Sequence, residues 1–305
     1  MKTKLRMEHD LFQRLISNPP QWWTNLKSDN EVYIDVRKGN SLNVYHNGGS
    51  IMKLEGARDY RATISYEYIP LGKMNEYMPY GFQDGAISFL EGKPIELNNF
   101  SKETLMRIKK RIKKFYPNDS EKGIQGNYVV KNHHSSGSRT GFFIDTEFQY
   151  DNGRIDMVWV DSTNQKIAFV ELKTIDDHRL YIKENHENIQ NKLETIDVQL
   201  GKYLEFIANN VDDLMRYYDM VYCIKKELGL LPEFVNDQSL ANYELIEKPI
   251  LLVGDCSQEW INNNAEVLND HIRDIAFGSV YQGINSFRFS IPYKSSRNNY
   301  RLSEI

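Results

Sequence analysis

A chain of 305 residues, 40% hydrophobic and 26% charged, has the composition of a globular protein with enough length to bury a substantial core in one large domain or two. Its net charge of −4 excludes a nucleic-acid surface spread over the whole molecule, so any such surface is local. Cys223 and Cys256 make no metal or disulfide spacing, the opening MKTKLRMEHDLF has no apolar signal region, and no run approaches bilayer length; a reducing, cytoplasmic setting is expected.

Residues 7–17 read as a short helix stopped at Pro19-Pro20, and Trp22-Trp23 open a second one. The alternating runs EVYIDVR, SLNVYHN, SIMKLE and YRATISYEYIP, separated by Gly- and Asn-bearing turns, predict an antiparallel meander. Trp22, Trp23, Tyr33 and Tyr45 read as residues of that small sheet, with base stacking as the alternative. Residues 1–100 are therefore expected to form an N-terminal, mostly β domain for substrate positioning or partner docking, with 72–99 as a Gly/Pro-punctuated connector.

Ser101 can cap a helix whose apolar stripe is Leu105, Ile108, Ile112 and Phe115. Arg107, Lys109, Lys110, Arg111, Lys113 and Lys114 crowd its other side. They are either a solvated face or, as cations without nearby acids, a contact for a phosphate backbone. Residues 117–140 read as a loop, and His133-His134 within it are left outside any site.

The stretch FFIDTEFQYDNGRIDMVWVDSTNQKIAFVELKT, residues 142–174, predicts three consecutive strands. Asn152-Gly153 is a two-residue hairpin signal. A turn there sets Gln149 opposite Asp156 and puts Asp145, Glu147 and Gln149 on the face of Asp156, with Ile155, Met157 and Trp159 on the other. Glu171 and Lys173, two apart, share a face at the end of the third strand. Carboxylates on a strand surface are costly to bury unless paired or bound to a metal, so they mark a candidate site. Phosphodiester hydrolysis gives these residue types a role. Asp156, Glu171 and the Leu172 carbonyl are hard oxygen donors for Mg²⁺ or Mn²⁺, Lys173 can position water and offset phosphate charge, and Glu147 is a further candidate catalytic carboxylate.

Beyond Lys173, residues 174–186 read as a loop at the mouth of the site. Arg179 there could clamp phosphate or pair with a local aspartate. A helix follows with Ile189, Leu193, Ile196, Leu200, Tyr203 and Ile207 in one stripe; Gln199 and Tyr203, four apart, share a side. Tyr217–Ile224 and Pro249–Val253 read as strands, with a charged loop between them, then a helix over 259–277 and a last strand FRFSIPY. The basic tail from Lys294 to Arg301 is a second phosphate contact or a solvated end.

Gly153-Arg154-Ile155-Asp156 followed by Glu171-Leu172-Lys173 resembles the active-site signature of the PD-(D/E)xK, restriction-endonuclease-like nucleases. Gln199-Leu200-Gly201-Lys202-Tyr203 is similar to the Q-x-x-x-Y of the branch that includes RecB-type and lambda-exonuclease-like enzymes. No proline precedes Asp156, and the R-x-x-x-x-H element of some members is not found upstream. The resemblance covers residues 101–225. It implies an α/β fold with an αβββαβ core and a mixed central sheet over 101–305. It also implies metal ligation by Asp156 and Glu171, water and phosphate positioning by Lys173, and support from Gln199 and Tyr203. The expected activity is Mg²⁺- or Mn²⁺-dependent hydrolysis of nucleic acid, DNA being favoured, in defence or repair. The alternatives are a nucleic-acid-binding module of the same fold without turnover, and a scaffold acting through the N-terminal sheet, where a homodimer or protein partner could also dock.

Overall fold

Asn40, Asn47 and Gly48 take positive φ values of 56°, 48° and 78°, and they close the turns that the alternating pattern demands. Strands β1 (Val32–Arg37), β2 (Ser41–His46), β3 (Gly49–Glu55), β4 (Arg61–Ser65) and β5 (Tyr77–Tyr80) form one antiparallel sheet in that order. Helices α1 (Asp10–Ser17) and α2 (Gln21–Lys27) precede it. The computed structural model describes residues 4–56, 60–65, 77–80, 86–89, 93–96, 102–134, 140–150, 153–181 and 195–293. The chain forms two compact units, the first made of Met1–His134 with Arg216–Leu240, the second of Ser135–Met215 with Ala241–Ile305. The division differs from the expected boundary near residue 100, because helices and a later segment join the first sheet.

In the first unit Trp22, Trp23, Tyr33 and Tyr45 are all buried, which favours their reading as core. The expected connector over 72–99 contains β5 and the paired strands β6 (Ala86–Phe89) and β7 (Lys93–Glu96). Helix α3 (Lys102–Phe115) buries Leu105, Ile108 and Ile112, but Phe115, in its last turn, is 51% exposed. Ser101 lies outside the described residues. The cations of α3 do have acids nearby: Lys109 reaches both oxygens of Asp29 at 2.9 Å and Glu31 at 2.5 Å, Lys113 meets Glu31 at 3.4 Å, and Arg107 pairs with Glu103 at 2.7 Å. Lys110 and Lys114 are exposed, and Arg111 is half-buried.

Two expectations fail here for identifiable reasons. Residues read as a loop form α4 (Glu121–His134), because its glycines serve close packing rather than turning. A Cβ on Gly126 would come within 2.6 Å of the Gly48 nitrogen, and one on Gly48 within 2.2 Å of the Lys122 carbonyl oxygen. The run read as a strand at Tyr217–Ile224 lies in α6 (Val211–Glu227). Leu214, Tyr217, Tyr218, Val221 and Tyr222 are buried at helical spacing, and Gly229, at φ 65°, follows the helix. Cys223 is accordingly helical, not in a strand.

A buried polar cluster belongs to this unit. Lys225 donates to Asp35 at 3.1 Å, Arg37 donates to Asp35 at 3.1 Å and to the Tyr45 hydroxyl at 2.8 Å, and Asn43 donates to the same hydroxyl at 2.9 Å.

The second unit is built on β8 (Gly141–Tyr150), β9 (Gly153–Asp161), β10 (Lys166–Thr174), β11 (Glu244–Leu245), β12 (Ile250–Cys256) and β13 (Gly278–Gly283). The sheet order is β13-β12-β10-β9-β8, with β11 beside β10; β8, β9 and β10 run antiparallel, whereas β11 and β12 are parallel to β10, and β13 to β12. The molecule is thus of mixed α/β class with a mixed central sheet, as expected. Helices α5 (Ile196–Ala208) and α7 (Gln258–Ile272) touch each other and bury the stripes Ile196, Leu200, Tyr203, Ile207 and Ile261, Ala265, Leu268, Ile272. Ile189 and Leu193 lie outside the described residues. Central strands are buried on both faces, so apolar residues run almost without a break along them.

FRFSIPY forms no strand. Its Phe289 packs on Phe143 and Trp159, with ring centroids 5.4 and 4.9 Å apart; the final strand is instead GSVYQG, supplied with backbone pairing by β12. The basic tail lies outside the described residues.

Candidate active site

The β8–β9 register pairs Tyr150 with Gly153 and Gln149 with Arg154, a displacement from the expected pairing of Gln149 with Asp156. Gly153 is used for close approach instead of the turn, since a Cβ there would meet the Tyr150 ring at 2.3 Å. The displacement preserves side-chain parity, so Asp145, Gln149, Arg154 and Asp156 still belong to one face. Asn152 lies outside the described residues.

On its other edge β9 pairs antiparallel with β10, from Lys166↔Asp161 to Val170↔Met157, and this ladder ends just before Asp156 and Glu171. Continuing the count by one step sets these carboxylates opposite each other on one face. There the Asp156 side chain replaces a strand carbonyl: its Oδ2 accepts from the Leu172 N–H at 3.0 Å. Beyond β10, Glu171 lies opposite Leu251 and Lys173 opposite Val253 of β12. The site therefore sits where a central strand exchanges one neighbour's ladder for a side-chain contact.

Asp156, Glu171 and Lys173 are 7%, 1% and 1% exposed, far more enclosed than charged groups usually are. Lys173 Nζ contacts Glu171 Oε1 and donates to the Leu172 carbonyl at 3.0 Å. Gln199 Nε2 donates to Glu171 Oε1 at 2.6 Å and to the Tyr203 hydroxyl at 2.7 Å. That hydroxyl lies 2.9 Å from Glu171 Oε2 and 2.7 Å from the Arg154 carbonyl oxygen. The α5 stripe explains the double role of Tyr203. Its ring packs edge-on against Tyr150 at 6.0 Å, and its oxygen reaches the carboxylate one helical turn from core residues Leu200 and Ile207.

Burial pushes the Glu171 carboxyl upward, and the nearby Asp156 charge pushes the same way; Lys173 and the Tyr203 hydrogen bond pull against them without reversing the shift. The Tyr203 hydroxyl is pushed up by burial and by the same two carboxylates. Burial would raise Asp177, but hydrogen bonds and charge from Arg179, with the more distant Lys173 charge, hold it below the usual carboxylate range.

Sequence-predicted residues Glu171, Lys173, Gln199 and Tyr203 are thus in direct contact, and Asp156 joins them through Leu172 and through its charge. Glu147, expected among the catalytic groups, instead takes a positive φ of 55° and pairs with Arg154 at 2.7 Å. Arg179 meets Asp177 through its backbone N–H at 2.9 Å and its Nε at 2.8 Å, with Nη2 closing on the second oxygen, and its Nη1 donates to Gln199 Oε1 at 3.3 Å. The local-aspartate reading of Arg179 is the one this geometry favours. The candidate phosphate-binding lysines of α3 belong to the first unit.

No family model matches the chain, and no curated protein matches it. Two solved structures resemble it at 11% identity: SfsA of Pyrococcus furiosus in complex with Ca²⁺, covering 83% of this chain and 87% of that one at a TM-score of 0.23, and a repair endonuclease from Pyrococcus abyssi, covering 83% and 84% at 0.19. Likenesses this loose assign neither fold nor activity.

Among the described residues no group of three or more His, Cys, Asp or Glu side chains is placed to hold a metal ion. The donor chemistry nevertheless fits a hard divalent cation: Asp156 and Glu171 contribute carboxylates beside the Leu172 carbonyl, and one ammonium is in contact with Glu171. Sequence reasoning missed the Arg154 carbonyl as part of the network and did not say which aspartate Arg179 meets. The D-x-R spacing of Asp177 and Arg179, immediately after the Glu-x-Lys strand, was the available signal.

Proposed function

We propose that the second unit hydrolyses phosphodiester bonds of nucleic acid, with DNA as the favoured substrate, in a reaction that depends on Mg²⁺ or Mn²⁺. The observation that carries this reading is the buried juxtaposition of Asp156 and Glu171 across adjoining strands, with Lys173 on the Glu171 carboxylate. Asp156, Glu171 and the Leu172 carbonyl are the groups that would hold the ion. When bound, a divalent ion supplies Lewis-acid polarisation of the phosphoryl oxygen and a more acidic water. Lys173 offers an ammonium to a phosphate oxygen and orients the attacking water. Gln199 and Tyr203 fix the Glu171 carboxylate. In the net reaction a water oxygen bonds to phosphorus, the P–O ester bond breaks, and the leaving oxygen takes a proton.

The test is incubation of linear duplex, circular duplex, single-stranded DNA and RNA with Mg²⁺ or Mn²⁺, comparing wild type with Asp156→Asn and Lys173→Met. Cleavage abolished by chelation and lowered roughly 10²- to 10⁴-fold by each change is expected. Cleavage that survives both changes rejects the assignment.

A second reading, nucleic-acid binding without turnover, is favoured by one contact: the Lys173 ammonium already rests on Glu171 and the Leu172 carbonyl oxygen. Substrate retention in a mobility-shift assay without cleavage under any metal would select it.

A further inference from the structure

Gln199 carries one acceptor and one donor group on a side chain that can be turned end for end, and its neighbours decide which end points where. Its Nε2 faces Glu171 and Tyr203, and its Oε1 faces Arg179. Arginine has only donors and stays protonated, so it accepts nothing from an amide N–H. A turned amide would set N–H against the guanidinium and Oε1 against the Glu171 carboxylate. The guanidinium contact would be repulsive, and Glu171 and Tyr203 would both lose the N–H that now reaches them.

Arg179 is itself held. The Asp177 carboxylate takes the Arg179 backbone N–H, Nε and Nη2, and the Asp177 side chain is 7% exposed, whereas that of Arg179 is 28% exposed. A forked contact of this kind leaves the guanidinium little rotational choice. Its remaining Nη1 is the atom that meets Gln199.

The orientation propagates. With Nε2 donating to the Tyr203 oxygen, the single phenolic proton must go to one of its two other neighbours, Glu171 Oε2 or the Arg154 carbonyl oxygen. A guanidinium one residue removed from the candidate metal pair therefore sets the direction of the hydrogen bonds that hold one of its carboxylates.

We propose that Arg179, clamped by Asp177, is a positioning residue that fixes Gln199 as donor to Glu171 and Tyr203. This rests on the nuclease reading for its consequence in catalysis, but not for the arrangement itself. Arg179 acts through Gln199 and need not touch substrate. Lysine at this position keeps a donor-only cation and preserves the direction; methionine removes it; glutamine, able to present either end, permits both directions.

The experiment compares wild type with Arg179→Lys, Arg179→Met and Arg179→Gln in two measurements. The first needs no activity: in glutamine-selective ¹⁵N spectra, with Gln199→Leu identifying the signal, the Gln199 amide protons are expected to be shifted and slow to exchange in wild type and Arg179→Lys. In Arg179→Met and Arg179→Gln they move toward solvent values. The second is steady-state cleavage, where kcat is expected to fall roughly 10- to 100-fold in Arg179→Met with KM little changed, and to recover in Arg179→Lys. A Gln199 signal identical in all four folded proteins overturns the proposal. So does a rise in KM with kcat and the Gln199 signal untouched, which would make Arg179 a phosphate contact. If wild type cleaves nothing, the nuclease reading fails and the amide spectra still decide the role of Arg179.

Discussion

Both units bury charged side chains on a sheet, and they do so with opposite charge balance. In the first, the Asp35 carboxylate is met by Lys225 and by Arg37, each at 3.1 Å, with Tyr45 and Asn43 hydrogen-bonded around them. In the second, Asp156 and Glu171 approach closely enough for one to raise the proton affinity of the other, and the Lys173 ammonium contacts Glu171. A buried carboxylate surrounded by cations is already neutralised and serves as structure. A buried pair of carboxylates with one ammonium beside it retains a demand for positive charge. The contrast marks the second cluster as the candidate site where burial alone does not, since exposure is 2% for Asp35 and 1% for Glu171.

The sharpest way to break this contrast is to remove one acid from each cluster and measure unfolding by denaturant. Asp35→Ala takes the buried carboxylate away from both Lys225 and Arg37 and is expected to cost about 3–5 kcal/mol. An effect below about 1 kcal/mol would show that the cluster of the first unit is not a closed ion pair. Glu171→Gln should do the reverse in metal-free protein, because it leaves Asp156 with Lys173 and removes the excess charge. A gain of about 1 kcal/mol is expected near pH 8.

The sign of its pH dependence follows from the raised carboxyl. The folded protein binds the Glu171 proton more tightly than the unfolded chain, so this contribution to stability is fully present below the ordinary value of 4.5 and is lost as pH rises above it. The advantage of Glu171→Gln over wild type should therefore widen from pH 5 to pH 8. A constant difference would contradict the charge argument.

An effect confined to the acid side of the profile concerns His133, which is bonded at 2.9 Å to the Leu230 carbonyl in the first unit and lowered by burial to about 4. Its folded value lies below the unfolded 6.5, so the neutral ring stabilises above 6.5 and that stability is lost as pH falls toward 4. His133→Gln should flatten the acid side of the stability profile while leaving the alkaline side, governed by Glu171, unchanged.

Particular residues show how far the chain could be read in advance. The meander was legible because its turns carry Asn and Gly at positions that take positive φ. Glu171-x-Lys173 and Gln199-x-x-x-Tyr203 were legible because their spacings are those of a strand and a helix face, and the side chains did meet. For Glu147 periodicity assigns a face but not a partner, and only the structure shows its positive-φ backbone and its ion pair with Arg154. The lysines of α3 lack these acids in any local window because Asp29 and Glu31 lie more than seventy positions away in the sequence. Tyr217–Ile224 has the pattern of a strand in a short window because aromatic and β-branched residues favour strands, whereas its burial at helical spacing extends over a longer one.

Local periodicity and turn chemistry by themselves determined the strand meander, the Glu-x-Lys edge and the side of α5 that carries Gln199 and Tyr203, since each depends on residues at most a few positions apart. Only the tertiary structure decided which charges are neutralised, Asp35 by Lys225 and Lys109 by Asp29, and which way Arg179 turns the Gln199 amide. Electrostatic energy depends on distance through space and on exclusion of water, and neither quantity is encoded at any fixed separation along the chain.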